Sequence, residues 1–279
     1  MTRFIRSDYT VLDEKSGLEW TCDASPSEFP LTWNEAFSFI RDVNRSNLFG
    51  YDDWKLPSRK ELFSLISLRE INPALPAGHP FTGVFHGTYW TCTTCARLPD
   101  QAWYIHLGGA KVYRGLKSAS YMVWPVRVFN NRKSSVLETD FSQEALRFEA
   151  KDDTVLDNAT GLTWLKDAGF ASDMMDLHSA FEKIEEMNDK KHLGFRDWRI
   201  PEISELETLT DLTRHSPALP AGHPFTGVKE FYWSSTTSMY NTDYAWALYL
   251  RDGALGVGYK ALPEFHLWPV RGNRENFKE

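Results

Sequence analysis

The pair Cys92 and Cys95, in the stretch "YWTCTTCA", offers the sharpest chemistry in this 279-residue chain. Two thiols in a C-x-x-C spacing can form a redox couple or bind a soft metal ion. A later stretch, "YWSSTTS", has the same pattern but carries Ser235 and Ser238 instead. Residues three apart on a strand also point to opposite faces, which separates the two thiols. We therefore predict no catalytic residue, no metal site and no cofactor.

Two histidines raise a second chemical question, because both lie in the same twelve-residue sequence. "PALPAGHPFTGV" occurs at residues 73–84 and again at 217–228, placing His79 and His223 identically. A metal site needs several convergent ligands, and the neighbouring Pro, Phe and Thr residues offer few. We predict that each imidazole instead hydrogen-bonds loop backbone that would otherwise lie unsatisfied.

The carboxylate groupings nearest to a calcium site are "DD" at 52–53 and "NTD" at 241–243. Asp53 and Asp197 each precede a tryptophan in a "DW" pair, and calcium needs six to eight oxygen ligands in one place. We predict that these aspartates hold the DW turn by backbone hydrogen bonds. The sequence contains no phosphate-binding G-x-x-x-x-G-K-[ST], no G-x-S-x-G and no H-E-x-x-H motif.

The elements that position these residues occur twice. "TVLD", "DWKLP"/"DWRIP" and "WPVR" each recur at an offset of 144 residues, and ten of the eleven tryptophans pair, leaving Trp33 single. A period this long indicates two domains, not a solenoid unit of about 20–50 residues. We predict a first domain over 1–129, a linker over 130–146 and a second domain over 147–279.

Within each copy the pattern is α+β. Short β-like pieces come first, then two helices, then several strands after Gly83. Thr32 with Glu35, and Ser58 with Glu61, have the capping-box spacing that begins a helix. The first helix presents one apolar face in each copy, formed by Trp33, Ala36, Phe37 and Ile40 and by Leu177, Ala180, Phe181 and Ile184, with Asp176 as the second cap. Each copy should bury five tryptophans: Trp20, Trp54, Trp90, Trp103 and Trp124, and Trp164, Trp198, Trp233, Trp246 and Trp268.

The ordered motifs "TGL-W", "DWR[IL]P--EL", "YWSSTT", "AW" and "WPVR" resemble the DUF1566 domains, also called the Legionella collagen-like protein C-terminal domain. The resemblance covers both copies almost end to end. It implies two tandem C-type-lectin-like domains, each with two helices and a twisted, mainly antiparallel sheet. It also implies a likeness to formylglycine-generating enzymes, which use a cysteine pair with copper. The EPN, QPD and WND triplets of calcium-dependent lectins are missing here.

Composition limits the partners. The formal net charge is −7, which argues against a nucleic-acid partner. No stretch of about 18 apolar residues exists, which argues against membrane insertion. Three cysteines form no disulfide framework, so we expect a cytoplasmic protein, or a secreted one if a signal peptide has been removed.

The late strands carry the residue types that anchor interfaces, and they differ most between the copies. The candidate binding residues are Tyr104, His106, Tyr113, Arg114, Lys117 and Tyr121 in the first copy, and Tyr249, Arg251, Tyr259, Lys260 and His266 in the second. We interpret the chain as a non-enzymatic tandem recognition module, a protein-binding accessory or regulatory subunit of a bacterial complex inside the cell. The alternatives are an adhesin module for sulfated polysaccharide and an oxidase that uses Cys92 and Cys95.

Overall fold

The computed structural model describes residues 3–129 and 147–272. The chain divides into two compact units, Met1–Glu138 and Thr139–Glu279, called the first and the second unit below. The predicted linker, 130–146, lies outside the described residues. Within the two described ranges, no helix has the length and apolar character needed to cross a membrane.

An antiparallel sheet of four strands brings the two ends of the first unit together. The four strands are β1 (Phe4–Arg6), β2 (Thr10–Asp13), β3 (Leu18–Thr21) and β9 (Val126–Val128). They lie in the order β1-β2-β3-β9, so the last strand of the unit pairs with the third, and Trp20 lies opposite Val126.

Two helices follow, and each begins at a predicted capping box. Helix α1 spans Trp33–Arg45 and helix α2 spans Arg59–Leu65. Thr32 and Ser58 accept the amide of the glutamate three residues on, while that glutamate accepts the cap residue's own amide. These bonds satisfy amides that a helix start leaves without intrahelical partners, which confirms both predicted starts.

A second antiparallel sheet lies between the two helices. It contains β5 (Thr88–Thr94), β6 (Gln101–His106) and β7 (Lys111–Leu116), with β6 in the middle; β4 (Leu31–Thr32) and β8 (Ser120–Tyr121) form a short separate pair. Ala36 and Ile40 of α1 pack against Trp90 on one face. Arg59 of α2 lies 4.3 Å over Trp103, which projects from the other face.

The second unit repeats this arrangement. The strands are β10 (Phe148–Lys151), β11 (Thr154–Asp157), β12 (Leu162–Leu165), β13 (Phe231–Thr237), β14 (Tyr244–Tyr249), β15 (Ala254–Tyr259) and β16 (Val270–Arg271). The first sheet has the order β10-β11-β12-β16, and β14 pairs antiparallel with both β13 and β15. The helices are α3 (Leu177–Asp189) and α4 (Ile203–Thr208). Two similar α+β units in tandem confirm the predicted class.

All ten tryptophans predicted to be buried are buried, none exposing more than 4% of its surface. One prediction for the helices is wrong. The sequence pattern places Phe181 on the apolar face of α3, but 43% of its surface is exposed, whereas Ala180 and Ile184 are buried as expected. Phe37, its counterpart in the first unit, packs edge-on against Trp33 at 4.6 Å, and the second unit has Leu177 at the position of Trp33.

Candidate binding surfaces

The two thiols that could support redox chemistry are both free cysteines. Cys92 lies within β5, and its amide donates to the carbonyl of Pro57 at 2.8 Å. Burial, reinforced by the charge of Glu61, raises the pKa of Cys92 to about 11. Cys95 follows the end of β5 and is buried, and both thiols are free. Across the described ranges, no group of three or more His, Cys, Asp or Glu side chains could hold a metal ion.

The histidines of the repeated loop do not bond as predicted. Nδ1 of His79 and of His223 is buried without a hydrogen-bond partner among the described residues, so the prediction is wrong for that atom. Each ring instead lies against the phenylalanine two residues on, at 5.9 Å in the first unit and 5.8 Å in the second. Burial lowers the pKa of both histidines because it disfavours the charged imidazolium.

The DW turn is also held differently from the prediction. Asn44 donates its side-chain amide to the Trp54 carbonyl and accepts the Trp54 amide, both at 2.9 Å, and Asn188 does the same for Trp198. Asp53 instead accepts from Arg127 at 2.6 Å. Asp197 likewise accepts from Arg271 at 2.8 Å. The recurrence of both asparagines at the repeat offset was the signal for this role.

Three predicted tyrosines of the first unit meet on one face of its second sheet. Tyr104 and Tyr113 are directly opposite partners on β6 and β7. The ring of Tyr121 lies 5.0 Å from that of Tyr104 and 4.2 Å from that of Trp90, which is fully buried. A buried indole therefore supports a layer of tyrosines that reaches the surface.

Two cations flank the outermost ring of this layer. The guanidinium of Arg114 lies 4.7 Å from the Tyr113 ring centre, and the ammonium of Lys111 lies 5.0 Å from it. Tyr113 exposes 38% of its surface, while Tyr104 and Tyr121 are half-buried. We call Tyr104, Lys111, Tyr113, Arg114 and Tyr121 the tyrosine cluster. Lys111 is not among the predicted binding residues, although strand alternation places it on the same face as Tyr113.

Burial raises the pKa of Tyr104 and of Tyr121. For Tyr104, the neighbouring tyrosines add to this effect and Arg114 opposes it. Both phenols are therefore neutral hydrogen-bonding groups near neutral pH. A glycine makes the arrangement sterically feasible, since a Cβ atom at Gly115 would lie 2.4 Å from the Tyr121 hydroxyl. The tyrosine cluster thus combines neutral phenol rings with two cations at its rim.

The other two predicted residues of the first unit lie elsewhere. His106 ends β6, and its Nδ1 accepts the Gly108 amide at 3.0 Å, a bond within a turn. Burial lowers the pKa of His106. Lys117 donates to the Thr94 hydroxyl at 3.0 Å, and its ammonium lies 4.0 Å over the ring of Trp33. It belongs to the start of α1, not to the tyrosine cluster.

Among the described residues of the second unit, 147–272, none form an equivalent of the tyrosine cluster. The pair Tyr104–Tyr113 corresponds in the β14–β15 ladder to Ala247 and Gly256. The ring of Tyr249 covers that strand instead, since a Cβ atom at Gly256 would lie 2.6 Å from it. Tyr249 also packs 5.1 Å from Phe231, so its ring serves the core of the second unit.

The remaining predicted residues of the second unit are scattered. Arg251 lies in the β14–β15 turn, where its carbonyl accepts the Ser216 amide. His266 is half-buried, its amide donates to Phe231, and burial lowers its pKa. Tyr259 exposes 39% of its surface at the end of β15 and lies 5.4 Å from Tyr244. Lys260 donates to the Thr237 hydroxyl at 2.9 Å.

Lys260 opens onto a groove of about 570 Å³ beside the start of α3. We call it the Phe181 groove, and it is lined by Asp176, Leu177, Phe181, Ser235, Thr237 and Lys260, among others. Among these lining residues, only Lys260 belongs to the binding residues predicted from the sequence. The unpaired Trp33 was the available signal, because it marks the position at which the two copies differ beside this groove.

Comparison with known proteins gives one family. The family model described as the Lcl C-terminal domain matches the chain twice, over residues 9–127 and 153–271. The two matches confirm the tandem repeat and the resemblance drawn from the motifs. A search of curated proteins gave no match.

Proposed function

The chain belongs to the Lcl C-terminal domain family and carries two of its domains, and we propose that it is a non-enzymatic recognition module that binds a protein partner. In this proposal it acts in the cytoplasm as an accessory or regulatory subunit of a bacterial complex. The partner contacts the tyrosine cluster of the first unit. Family membership alone does not give this role, because function lies in particular sites on a shared fold.

The observation that carries the proposal is the tyrosine cluster itself. Tyr and Arg are enriched among the residues that dominate binding energy at interfaces. Tyr113 exposes a ring between two cations, while Tyr104 and Tyr121 hold the layer from below. A rigid aromatic centre loses little side-chain entropy on binding, and the cations complement an acidic rim on the partner. The chain as a whole is acidic, with net charge −7, so this positive rim is a local feature.

The difference between the two units supports the proposal. A residue set required by the scaffold would be expected in both copies, as the buried tryptophans and the DW asparagines are. The second unit has Ala247, Gly256 and Val257 where the first has Tyr104, Tyr113 and Arg114. The second unit therefore folds without these three side chains, which supports a role for them in binding.

Two further parts of the proposal concern fold and chemistry. We assign each unit the C-type-lectin-like fold, supported by the terminal strands that close β1-β2-β3-β9 and by the helices on both faces of the second sheet. The non-enzymatic role is supported by Cys92, whose raised pKa keeps it a thiol and a poor nucleophile at neutral pH. The oxidase alternative would require a reactive thiolate at that position.

The test is affinity capture from the native host followed by measured binding. Tyr113→Ala and Arg114→Ala should each weaken the captured partner by about 2 kcal/mol or more, as expected for hot spots. Val257→Ala, at the position that corresponds to Arg114, is the matched control and should bind normally. Equal binding by all three variants would refute the surface. Tyr259→Ala tests the exposed tyrosine of the second unit in the same assay.

Salt dependence separates a protein partner from a sulfated polysaccharide. Exposed charge contacts are strongly screened at high ionic strength, whereas a buried aromatic centre is not. A protein partner should retain most of its affinity when salt is raised. The loss of affinity caused by Tyr113→Ala should be similar at low and at high salt. Binding to sulfated dextran that falls steeply with salt, without a captured protein, would favour the polysaccharide alternative.

A further inference from the structure

The Phe181 groove is open in the second unit at a place where the first unit inserts its own side chain. In the first unit, the Trp33 indole donates to the Thr91 carbonyl at 2.9 Å and packs edge-on against Phe37 at 4.6 Å. The ammonium of Lys117 lies 4.0 Å over the same indole. Trp33 therefore has three partners: a carbonyl, an aromatic edge and a cation.

The second unit has a counterpart for each of the three partners of Trp33, but it has no indole at the position of Trp33 itself. Phe181 corresponds to Phe37, Lys260 to Lys117 and Ser234 to Thr91, while Leu177 replaces Trp33. Leu177 is buried, and the ring of Phe181 is left 43% exposed beside it. The smaller side chain leaves the groove that the indole would occupy.

The backbone geometry shows that the two sites are equivalent. The amide of Trp33 donates to the Lys117 carbonyl at 3.1 Å, and the amide of Leu177 donates to the Lys260 carbonyl at 2.9 Å. Both lysines donate to the corresponding threonine on the neighbouring strand, at 3.0 Å to Thr94 and 2.9 Å to Thr237. The helix start, the lysine and the strand are thus arranged alike, and position 177 is the main difference among these contacts.

We propose that the Phe181 groove binds an aromatic side chain of a partner protein, an indole by preference, in the position that Trp33 occupies in the first unit. The ring face meets the Lys260 ammonium, the ring edge meets Phe181, and the indole N–H reaches the Ser234 carbonyl. The attraction between a cation and the negative face of an aromatic ring is the charge complementarity that selects this ligand. The proposal does not depend on the tyrosine cluster, which lies in the other unit.

An anionic ligand fits the groove less well. Asp176 also lines it, and its carboxylate accepts the Ser179 amide and hydroxyl, both at 2.9 Å, as the cap of α3. These bonds lower the pKa of Asp176, so the group is negatively charged near neutral pH. A ligand carboxylate would be repelled by this charge, whereas a neutral ring would not.

The test is a titration of the isotope-labelled full chain with N-acetyl-tryptophanamide, followed by amide chemical shifts. In the wild-type chain the amides of Lys260 and Thr237 should shift saturably, and those of Lys117 and Thr94 should not. Leu177→Trp should abolish the shifts in the second unit because its own indole fills the groove. Trp33→Leu should create matching shifts at Lys117 and Thr94.

Two controls define the chemistry. Lys260→Gln keeps a side chain that can hydrogen-bond Thr237 but removes the charge, and it should weaken binding by about 2- to 5-fold, as expected for loss of a cation–π contact. N-acetyl-leucinamide, which has no aromatic ring, should not produce saturable shifts. Tighter binding of N-acetyl-glutamate than of the tryptophan probe would contradict the proposed ligand class.

Several outcomes would overturn the proposal. Absence of saturable shifts at Lys260 and Thr237 in the wild type would do so, as would unchanged binding by Leu177→Trp. If Leu177→Trp fails to fold, Trp33→Leu decides instead: failure to gain shifts at Lys117 and Thr94 contradicts the equivalence of the two sites. Phe181→Ala, at an exposed position, should fold normally and lose most of the binding.

Discussion

The thiol of Cys92 should ionise far above neutral pH, and this prediction separates a recognition module from a thiol enzyme. Burial is the main cause of the raised pKa, and the nearby Glu61 carboxylate adds to it. Lys55 opposes both effects, but its ammonium is bound to Glu61 at 2.6 Å. The perturbation to apply is therefore a rise in pH, with Glu61→Gln as a variant that should lower the Cys92 pKa.

The structure sets the magnitude of the effect. The pKa of Cys92 moves from 9.0 to about 11. Two pKa units correspond to about 3 kcal/mol, and at pH 8 they reduce the thiolate population roughly 100-fold. Because the folded state has the higher pKa, the neutral Cys92 thiol makes its full contribution to the free energy of unfolding below about pH 9. It is lost as the pH rises through about 11, so the free energy of unfolding should fall across that window.

The assay is the rate of alkylation by iodoacetamide in a Cys22→Ser/Cys95→Ser variant, in which Cys92 is the single thiol. The native protein should react far more slowly than the same protein unfolded in urea, with a rate that rises toward pH 11. Glu61→Gln should shift this profile to lower pH. A native profile with its midpoint at pH 8 or below would refute the reasoning, and so would stoichiometric copper binding lost on Cys92→Ser.

Three further predictions concern stability. Asp157→Ala should lower the free energy of unfolding in urea by about 3–5 kcal/mol, because the fully buried carboxylate pairs with Arg147, whose charge would be left uncompensated. The control Asp197→Ala removes an ion pair that is partly exposed, and it should lower the same free energy by less than about 1 kcal/mol. Gly227→Ala should lower the melting temperature more than Gly222→Ala does: both glycines have positive φ, but only at Gly227 would a Cβ atom overlap a side-chain oxygen, at 2.3 Å. Trp20→Ala should cost about 3–5 kcal/mol in thermal unfolding, since the ring is fully buried, and a loss below about 1 kcal/mol would contradict its role in the core.

The sequence by itself determined the features that are local or duplicated. A capping box needs only residues three apart, so Thr32 with Glu35 and Ser58 with Glu61 located two helix starts correctly. The 144-residue offset was enough to establish the tandem repeat, because a duplicated domain keeps its scaffold residues. The pairing of the tryptophans predicts their burial for the same reason, and all ten are buried.

Only the tertiary structure decided which residues share a surface. Asp53 and Arg127 are 74 positions apart, and the register between separate elements, not local sequence, brings them together. The eleven proposed binding residues illustrate the same limit, because the fold brings four of them together in the tyrosine cluster and places the other seven elsewhere. The tyrosine cluster depends on β6 placing Tyr104 opposite Tyr113. The Phe181 groove likewise became visible only in the folded unit, where Leu177, Phe181 and Lys260 line one surface, because packing volume is a property of the folded interior.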